Sequence, residues 1–319
     1  MLSRFIAGLA FCVSSAALAQ YPNQTVRVVV GFPPGGTTDV VGRLVAQGLS
    51  ERLGKPFVVE NRGGASGSIG AASVARAAPD GYTLLLVPST QGTNPFLYAS
   101  LPYDTDRDFA PISLIASTPY VFVAHPSLPA QSFRELILLL KKNPGKYQYA
   151  STSPGTAQHL GAELVKRMAG VDMEHIPYKG TGAVMPDLLS GRVPMMFENV
   201  AVMTPHVKKG VLRALAVSSA KRTLLLPEVP TVAETGMGLE GFEVLGWFGL
   251  YAPAGTPADI IRRLNAEVNA LIVQPATVQK FAELGAEPLG GPPEALAAFL
   301  RAEQEKWGRI IRDLNIKLQ

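Results

Sequence analysis

A loop rich in glycine and small hydroxyl residues follows the first predicted strand. The stretch GFPPGGTTD comes directly after the apolar run VRVVV and leads into a helical pattern. Gly35 and Gly36 remove side chains, so that a ligand can approach the backbone. Thr37, Thr38 or Asp39 can cap the helix, whose free N–H groups and positive end favour an anion. A tight turn with an ordinary N-cap explains the same residues, so both interpretations stand for this loop alone.

A second loop of the same kind occurs in the middle of the chain. The stretch ASTSPGTAQHL again leaves a predicted strand and enters a predicted helix. Gly155 allows close approach of the backbone, and four neighbouring side chains offer hydroxyl groups: Ser151, Thr152, Ser153 and Thr156. In open α/β sheets ligands sit at the carboxyl ends of strands, so two such loops facing each other would clamp a small carboxylate. The pair favours the anion-binding interpretation of the first loop.

Other polar side chains follow strands at the same edge. Ser89 and Thr90 come after a third predicted strand, and Glu198 ends the strand VPMMFEN. The Glu198 carboxylate can accept hydrogen bonds from an amino or hydroxyl group of a ligand, or it can cap a local turn. If it is ionised and faces the site, it disfavours a second ligand carboxylate nearby. Tyr178 in PYKG can add a phenol to the site or belong to the core or to a lobe interface.

Short strands alternate with helical segments along the chain, a pattern typical of α/β folds with mostly parallel sheets. Two β-α-β units are separated by PYVFVAHPSLPAQ, whose prolines mark a crossing between lobes. The stretch FEVLGWFGLYAP predicts a strand that returns to the first lobe, and two long helices follow from Pro257 and Pro293. The sequence therefore predicts two lobes joined by two crossings, with a ligand cleft between them. Lobe 1 is discontinuous, over residues 20–124 and 242–319, and lobe 2 covers residues 125–241.

Composition and the first residues indicate an exported protein. With 319 residues, of which 47% are hydrophobic, the chain can bury a sizeable core. The start, MLSRFIAGLAFCVSSAALAQ, has the layout of a signal peptide over residues 1–19 that is cleaved after Ala19; a retained interfacial anchor is the alternative. The single cysteine, Cys12, lies in that segment, so no disulfide is expected. The net charge of +4 is spread thinly, which argues against nucleic acid as a partner.

Sequence patterns of common enzymes and of metal or cofactor sites are missing. Neither G-x-S-x-G nor H-E-x-x-H occurs, and the four histidines are scattered. The stretch GMGLEG matches G-x-G-x-x-G, but it lies between a predicted helix end and a strand, the reverse of the dinucleotide-binding order. The sequence thus favours a binding protein without a metal or cofactor. An exported enzyme acting on small acids or esters is the rival, supported only by the hydroxyl-rich cleft.

The chain resembles the TctC-like Bug family of periplasmic solute-binding proteins, the receptors of tripartite tricarboxylate transporters. The resemblance runs through essentially the whole mature chain, in segments such as VRVVVGFPPGGTTD, STSPGTAQHLGAELVKRMAG, HIPYKGTGAVMPDLLSGRV and WFGLYAPAGTPADII. It implies a two-lobe Venus-flytrap fold of type II, an α/β fold, that closes on a small organic acid or amino acid. It also implies a periplasmic monomer that serves two integral membrane subunits of a transporter. A ligand sensor for a histidine kinase is the alternative within the same fold.

The resemblance also points to ligand-binding positions. In the family, a ligand carboxylate is held by the first-lobe loop, often through ordered waters, and by the serine and threonine loop of the second lobe. The matching positions are Phe32, Pro33, Pro34, Gly35, Gly36, Thr37, Thr38, Asp39, Ser89, Thr90, Ser151, Thr152, Ser153, Gly155, Thr156 and Ala157. The family commonly has an aspartate at the position of Glu198, whose extra methylene would extend the carboxylate further into the cleft.

Overall fold

The computed structural model describes residues 21–313 and 315–318, so the predicted signal peptide lies outside the described residues. Ten strands and ten α-helices occur within those ranges. The strands are β1 (Val26–Val30), β2 (Phe57–Asn61), β3 (Thr83–Pro88), β4 (Phe109–Ala124), β5 (Gln148–Ser151), β6 (Glu174–Pro177), β7 (Met195–Asn199), β8 (Arg213–Val217), β9 (Leu245–Pro253) and β10 (Glu287–Pro288). The helices are α1 (Thr37–Leu53), α2 (Ser68–Ala75), α3 (Thr90–Leu97), α4 (Phe133–Lys142), α5 (Ala157–Ala169), α6 (Thr181–Leu189), α7 (Val200–Lys208), α8 (Ala258–Ile272), α9 (Pro275–Glu283) and α10 (Pro293–Asp313). None of these helices is long and apolar enough to cross a membrane.

Lobe 1 is built on a sheet in which β1 pairs in parallel with β2 on one side and β3 on the other. Helix α1 packs against it through Val41, Val45 and Leu49, which lie on the face that the 3.6-residue periodicity predicts. Val40, also predicted to face the core, is 38% exposed at the edge of that face. The helix ends at Gly54, whose φ of 67° gives the expected left-handed cap.

Lobe 2 has the same local plan. Strand β5 pairs in parallel with β6 and with β7, and helix α5 covers the sheet with Leu160 and Val165. Strands β7 and β8 pair with the second half of β4, which brings that strand into lobe 2. Both lobes therefore place the carboxyl ends of parallel strands at one edge, where the loops into helices begin.

The sequence predicts mostly parallel sheets, but the sheets of the structure are mixed. Strand β9 is antiparallel to β3 and to β4, and β4 is antiparallel to β7, β8 and β10. Alternation of strands with helices predicts parallel pairing only for strands joined by a crossover helix. Strands β4 and β9 carry the chain between the lobes. In the lobe 1 sheet β9 runs opposite to β3 and β4, and in the lobe 2 sheet β4 runs opposite to β7 and β8.

Three segments connect the lobes. Strands β4 and β9 form a ribbon at the crossing, where Thr118 pairs with Gly246. Helix α10 is the third connection: its first half packs in lobe 1 through Leu300, and its second half places Trp307 in a cluster with Phe197 of lobe 2. The predicted boundaries assign α10 to lobe 1, but the helix contacts both lobes.

The pattern S-x-x-E predicts a capping box at the start of α4, and the helix shows a variant in which Glu135 bonds to the backbone N–H just before the N-cap Ser132. Ser132 Oγ accepts a hydrogen bond from Glu135 N at 3.2 Å, and Glu135 Oε2 accepts one from Gln131 N at 2.7 Å. Replacing Ser132 with alanine should lower the free energy of unfolding by about 1 kcal/mol, because Glu135 N loses its partner. Urea unfolding measures this change, and Ser132→Thr, which keeps the hydroxyl, should stay near the wild type. Equal stability of the alanine variant would show that water replaces the cap.

Candidate ligand-binding cleft

A cavity of about 430 Å³ lies between the lobes, within the usual size range of small-molecule sites. Loops of both lobes and the β4–β9 ribbon form its wall. The lining residues are Phe32–Thr38 and Pro88–Thr90 from lobe 1; Thr152, Thr156–Gln158, Lys179–Ala183, Glu198 and Asn199 from lobe 2; and Thr118, Tyr120 and Gly246–Phe248 from the ribbon.

Five of the helices described here begin at this cavity: α1, α3, α5, α6 and α7. Each is the next helix after a strand, so the loops before these helices lie at the carboxyl ends of β1, β3, β5, β6 and β7. Their N-cap residues, which all line the cavity, are Gly36, Ser89, Thr156, Gly180 and Asn199. In the described part of the chain, no N-cap side chain accepts a hydrogen bond from the first-turn N–H groups of α1, α3, α5 or α6. First-turn N–H groups and five positive helix ends therefore favour negative charge in the cavity.

The first loop is held in shape by Asp39, which does not line the cavity. Its carboxylate accepts hydrogen bonds from Gly35 N at 2.9 Å, Arg43 Nε at 3.0 Å and Asn61 Nδ2 at 2.9 Å. Asn61 also donates to the carbonyl of Phe32. Burial alone would raise the pKa of Asp39, but the hydrogen bonds from Arg43, Gly35 and Asn61 outweigh it and hold the pKa below its ordinary value. Asp39 therefore acts as an internal clamp that leaves the α1 N-terminus open.

The second loop divides its predicted residues between the cavity and other contacts. Ser151 is fully buried behind the loop, and its Oγ lies 2.6 Å from His175 Nε2. Ser153 and Gly155 face lobe 1, where Ser66 Oγ lies 3.5 Å from Ser153 Oγ, and Gly155 O accepts a hydrogen bond from a lobe 1 threonine. Of the residues predicted in this loop, those that line the cavity are Thr152, Thr156 and Ala157.

Tyr178 also lies away from the cavity. Its hydroxyl donates to Asp187 Oδ2 at 2.7 Å, and burial together with this hydrogen bond raises the pKa of Tyr178 to about 12. The contact fixes the turn before α6. The predicted residues that do line the cavity are Phe32, Pro33, Pro34, Gly35, Gly36, Thr37, Thr38, Ser89, Thr90, Thr152, Thr156, Ala157 and Glu198.

Glu198 lies in the cavity wall with only 2% of its surface exposed. Its Oε1 accepts hydrogen bonds from Asn199 N at 2.7 Å and Gln158 Nε2 at 3.0 Å, and its Oε2 accepts one from Thr181 Oγ1 at 3.0 Å. Burial raises the pKa of Glu198 although these hydrogen bonds oppose the shift. The carboxylate therefore joins the starts of α5 and α6 within lobe 2 as well as facing the cleft.

Several residues that line the cavity are not predicted from the sequence. They are Pro88, Thr118, Tyr120, Gln158, Lys179–Ala183, Asn199 and Gly246–Phe248. The stretch PYKGTGA carries the same signal as the two predicted loops, a strand followed by glycine and a hydroxyl residue at a helix start. The ribbon residues carry no such local signal, because the crossing of the two lobes brings them to the cavity.

The cavity contains little charge. Among its described lining residues, Lys179 is the one positively charged side chain and Glu198 the one carboxylate. No group of three or more histidine, cysteine, aspartate or glutamate side chains suited to a metal ion occurs in residues 21–313 and 315–318. The polar groups that the cavity wall offers to a ligand are therefore mainly backbone N–H groups and hydroxyls.

Comparisons with known proteins agree with this architecture. The chain matches the family described as "Tripartite tricarboxylate transporter family receptor" over residues 41–316. The structure of R. palustris Rpa4515 with adipate is 38% identical with a TM-score of 0.88, covering 93% of this chain and 100% of that one. Periplasmic binding protein BugD is 37% identical with a TM-score of 0.85, at the same coverage. MatC (Rpa3494) from Rhodopseudomonas palustris with bound malate is 31% identical with a TM-score of 0.81, covering 91% of this chain and 100% of that one.

These likenesses confirm the two-lobe periplasmic-binding-protein fold that the sequence predicts. At the level of the family, they group the chain with solute-binding receptors rather than with enzymes. The chain belongs to the tripartite tricarboxylate transporter receptor (TctC) family, and within it resembles the Bug proteins.

Proposed function

We propose that the protein is a periplasmic receptor that binds a small organic acid between its lobes and delivers it to a tripartite tricarboxylate-type transporter. The observation that carries the proposal is the convergence of five helix N-termini on one cavity, four of them without a described side-chain cap. A carboxylate bound there accepts charge-assisted hydrogen bonds from N–H groups that the fold holds ready.

The distribution of charge supports an acid as the ligand. Glu198, the carboxylate in the described cavity wall, already accepts three hydrogen bonds from its own lobe, so its negative charge is partly compensated. Lys179 at the start of α6 adds a positive charge to the wall. Two structural neighbours hold the dicarboxylates adipate and malate, which favours small diacids as the first class to test.

Delivery depends on the two-lobe construction. A ligand that contacts Gly36 and Ser89 on one side and Thr156 on the other would stabilise a closed arrangement of the lobes. Two membrane subunits of a transporter would read that arrangement, with the receptor acting as a periplasmic monomer after removal of residues 1–19.

The contact between Ser151 and His175 does not favour a hydrolase. A nucleophile must touch its substrate, but Ser151 is fully buried and lies outside the cavity wall. The pair instead holds the second loop, because Ser151 Oγ also donates to Ser153 O.

Binding of purified protein to small acids tests the proposal. The mature chain, refolded to remove any carried ligand, is titrated calorimetrically with adipate, malate, monocarboxylates and amino acids. We expect a Kd near the micromolar range for at least one diacid, equivalent to about 8 kcal/mol. The melting temperature should rise with concentration of the same acid. The dimethyl ester of that acid is the matched control and should give no shift, because it cannot offer a carboxylate to the N–H groups.

Two outcomes contradict the proposal. If the folded protein binds none of these acids saturably, the cavity does not serve as a carboxylate site. If an amino acid alone binds, Glu198 contacts the ammonium group and the ligand class changes. Loss of uptake of the bound acid in a strain that lacks the receptor tests delivery separately.

A further inference from the structure

Two histidines form a stacked pair inside lobe 2. The ring centroids of His159 and His175 lie 3.9 Å apart with 11° between the ring planes. Tyr149 stacks on His175 with a centroid distance of 5.0 Å. Both histidines lie behind the cavity wall rather than in it, and His159 is only 7% exposed. Histidines often serve as acids or bases in catalysis, but these two have no access to a ligand in the cavity.

Both rings make hydrogen bonds to the second ligand-binding loop. His159 Nδ1 accepts a hydrogen bond from Gly155 N at 3.0 Å. Ser151 Oγ lies 2.6 Å from His175 Nε2 and donates its proton to Ser153 O at 3.2 Å. The single hydroxyl proton of Ser151 serves Ser153 O only when the neutral His175 ring donates from Nε2 to Ser151 Oγ; the other tautomer would take that proton itself. His159 accepts at Nδ1, so it too carries its proton on Nε2.

We infer that His159 and His175 are positioning residues that fix this loop for ligand binding, an inference that rests on the proposed function. They tie down the backbone at Ser153 and Gly155, the two ends of the turn before α5. Thr156 adds a hydrogen bond from its Oγ1 to Ser153 O at 2.8 Å. The side chains next to these anchors, Thr152 and Thr156, are the ones that reach the cavity.

Burial, with a smaller effect of the surrounding charges, keeps the pair neutral. From α5, Glu163 and Lys166 face the rings, but Glu163 already accepts hydrogen bonds from Tyr149 Oη at 2.6 Å and Lys166 Nζ at 3.0 Å. Burial and then Lys166 lower the pKa of His159 to about 4. Burial and then His159 lower the pKa of His175 to about 3, with Glu163 opposing the shift and Lys166 adding to it. At neutral pH the pair is thus a fixed hydrogen-bonding element rather than a switch.

Two substitutions of His159 separate positioning from mere packing. His159→Leu fills the space with an apolar side chain but removes the acceptor for Gly155 N. His159→Asn places an amide oxygen near the position of Nδ1 and can restore that hydrogen bond. The probe is whichever of adipate and malate binds the wild type more tightly. We expect His159→Leu to weaken its binding by about tenfold, and His159→Asn to stay within about threefold of the wild type.

Two NMR measurements test the inference without any ligand. Long-range nitrogen–proton spectra at pH 7 should show both histidines as Nε2–H tautomers. The amide of Gly155 should lose protection against hydrogen exchange in His159→Leu and keep it in His159→Asn. A proton on Nδ1 of His159, or unchanged protection of Gly155, would overturn the inference.

Ser151→Ala tests the other ring and also serves if His159→Leu does not fold. It removes the link from His175 to Ser153 and should weaken binding of the probe several-fold. Ser113→Ala is the matched control, because Ser113 is a fully buried lobe 1 serine whose hydroxyl donates to Leu114 O, and it should not change the affinity.

The outcomes distinguish the two proposals. If the wild type binds no acid while the NMR signatures hold, the proposed function fails and the loop anchor survives. If the wild type binds and His159→Leu binds equally well, the positioning role fails while the receptor function survives.

Discussion

Replacing Gly36 with valine should weaken ligand binding at least about 100-fold, or about 2.7 kcal/mol, and leave the fold intact. Gly36 is the N-cap of α1 and lines the cavity. Its φ of −81° and ψ of 166° are ordinary for any residue, and an added Cβ would meet only Pro33 O at 3.9 Å. The valine side chain would therefore project into open space that the ligand carboxylate needs to reach the α1 N–H groups.

Gly36 is a better position than its neighbour Gly35 for testing whether the ligand occupies this loop. Gly35 has a φ of 84°, which strains any side chain whatever the space around it. Loss of binding in a Gly35 variant could thus come from a distorted backbone. At Gly36 the same loss reports directly on occupancy of the cavity.

Calorimetry with adipate and malate measures the Gly36 effect, and circular dichroism with thermal melting checks the fold. Gln274→Val is a suitable control, because Gln274 is the N-cap of α9, has a similar extended backbone and lies outside the cavity. It should bind as the wild type does. Wild-type affinity in Gly36→Val would place the ligand away from the α1 N-terminus.

The parts of the site that the sequence predicts are those with a local signal. A strand, then glycine and hydroxyl residues, then a helix is visible in GFPPGGTTD and ASTSPGTAQHL, and both loops border the cavity. The pattern does not tell which side chain of a loop turns inward. Ser151 and Thr152 are neighbours of similar chemistry, yet one is buried against His175 and the other reaches the cavity. That choice depends on a partner from β6, which is distant in sequence.

The same limit applies to the larger architecture. Periodicity predicts α1 and the alternation of strands and helices along the chain, because each element is encoded within about 20 residues. The antiparallel ribbon of β4 and β9 joins residues more than 100 positions apart, and only tertiary packing brings Tyr120 and Trp247 to the floor of the cleft. Asp39 illustrates the same limit. Its position in the sequence suits an N-cap or a ligand contact, but in the structure its carboxylate accepts hydrogen bonds from Arg43 and Asn61 and thereby holds the loop.

Glu198→Gln should tighten binding of a dicarboxylate by about tenfold. The substitution removes a negative charge from the cavity wall, where low solvent exposure strengthens its repulsion of a second ligand carboxylate. The glutamine oxygen can still accept from Asn199 N and Gln158 Nε2, and its amide can donate to Thr181 Oγ1. Calorimetry with adipate and with a monocarboxylate of the same length measures the effect, which should be smaller for the monocarboxylate.

The charge of Glu198 should also affect stability, with a defined dependence on pH. Its pKa in the folded protein is raised by burial, so the native state binds this proton more readily than the unfolded chain does. Its ionised form therefore lowers stability at neutral pH, and this cost disappears as the pH falls below the ordinary glutamate pKa of about 4.3. Glu198→Gln should melt at a higher temperature than the wild type at pH 7.5, with a difference that shrinks to near zero by about pH 4.

Glu198→Ala separates the charge from the hydrogen bonds. It removes the same charge but leaves the donors of Asn199, Gln158 and Thr181 without their acceptor, so it should lower the free energy of unfolding by about 3 kcal/mol. It should also weaken diacid binding, because Thr181 and Gln158 lie in the first turns of two helices that begin at the cavity. Weaker diacid binding in Glu198→Gln as well would mean that the Glu198 carboxylate does not repel the ligand but accepts a hydrogen bond from it. In that case the receptor selects acids that carry an amino or hydroxyl group opposite the carboxylate.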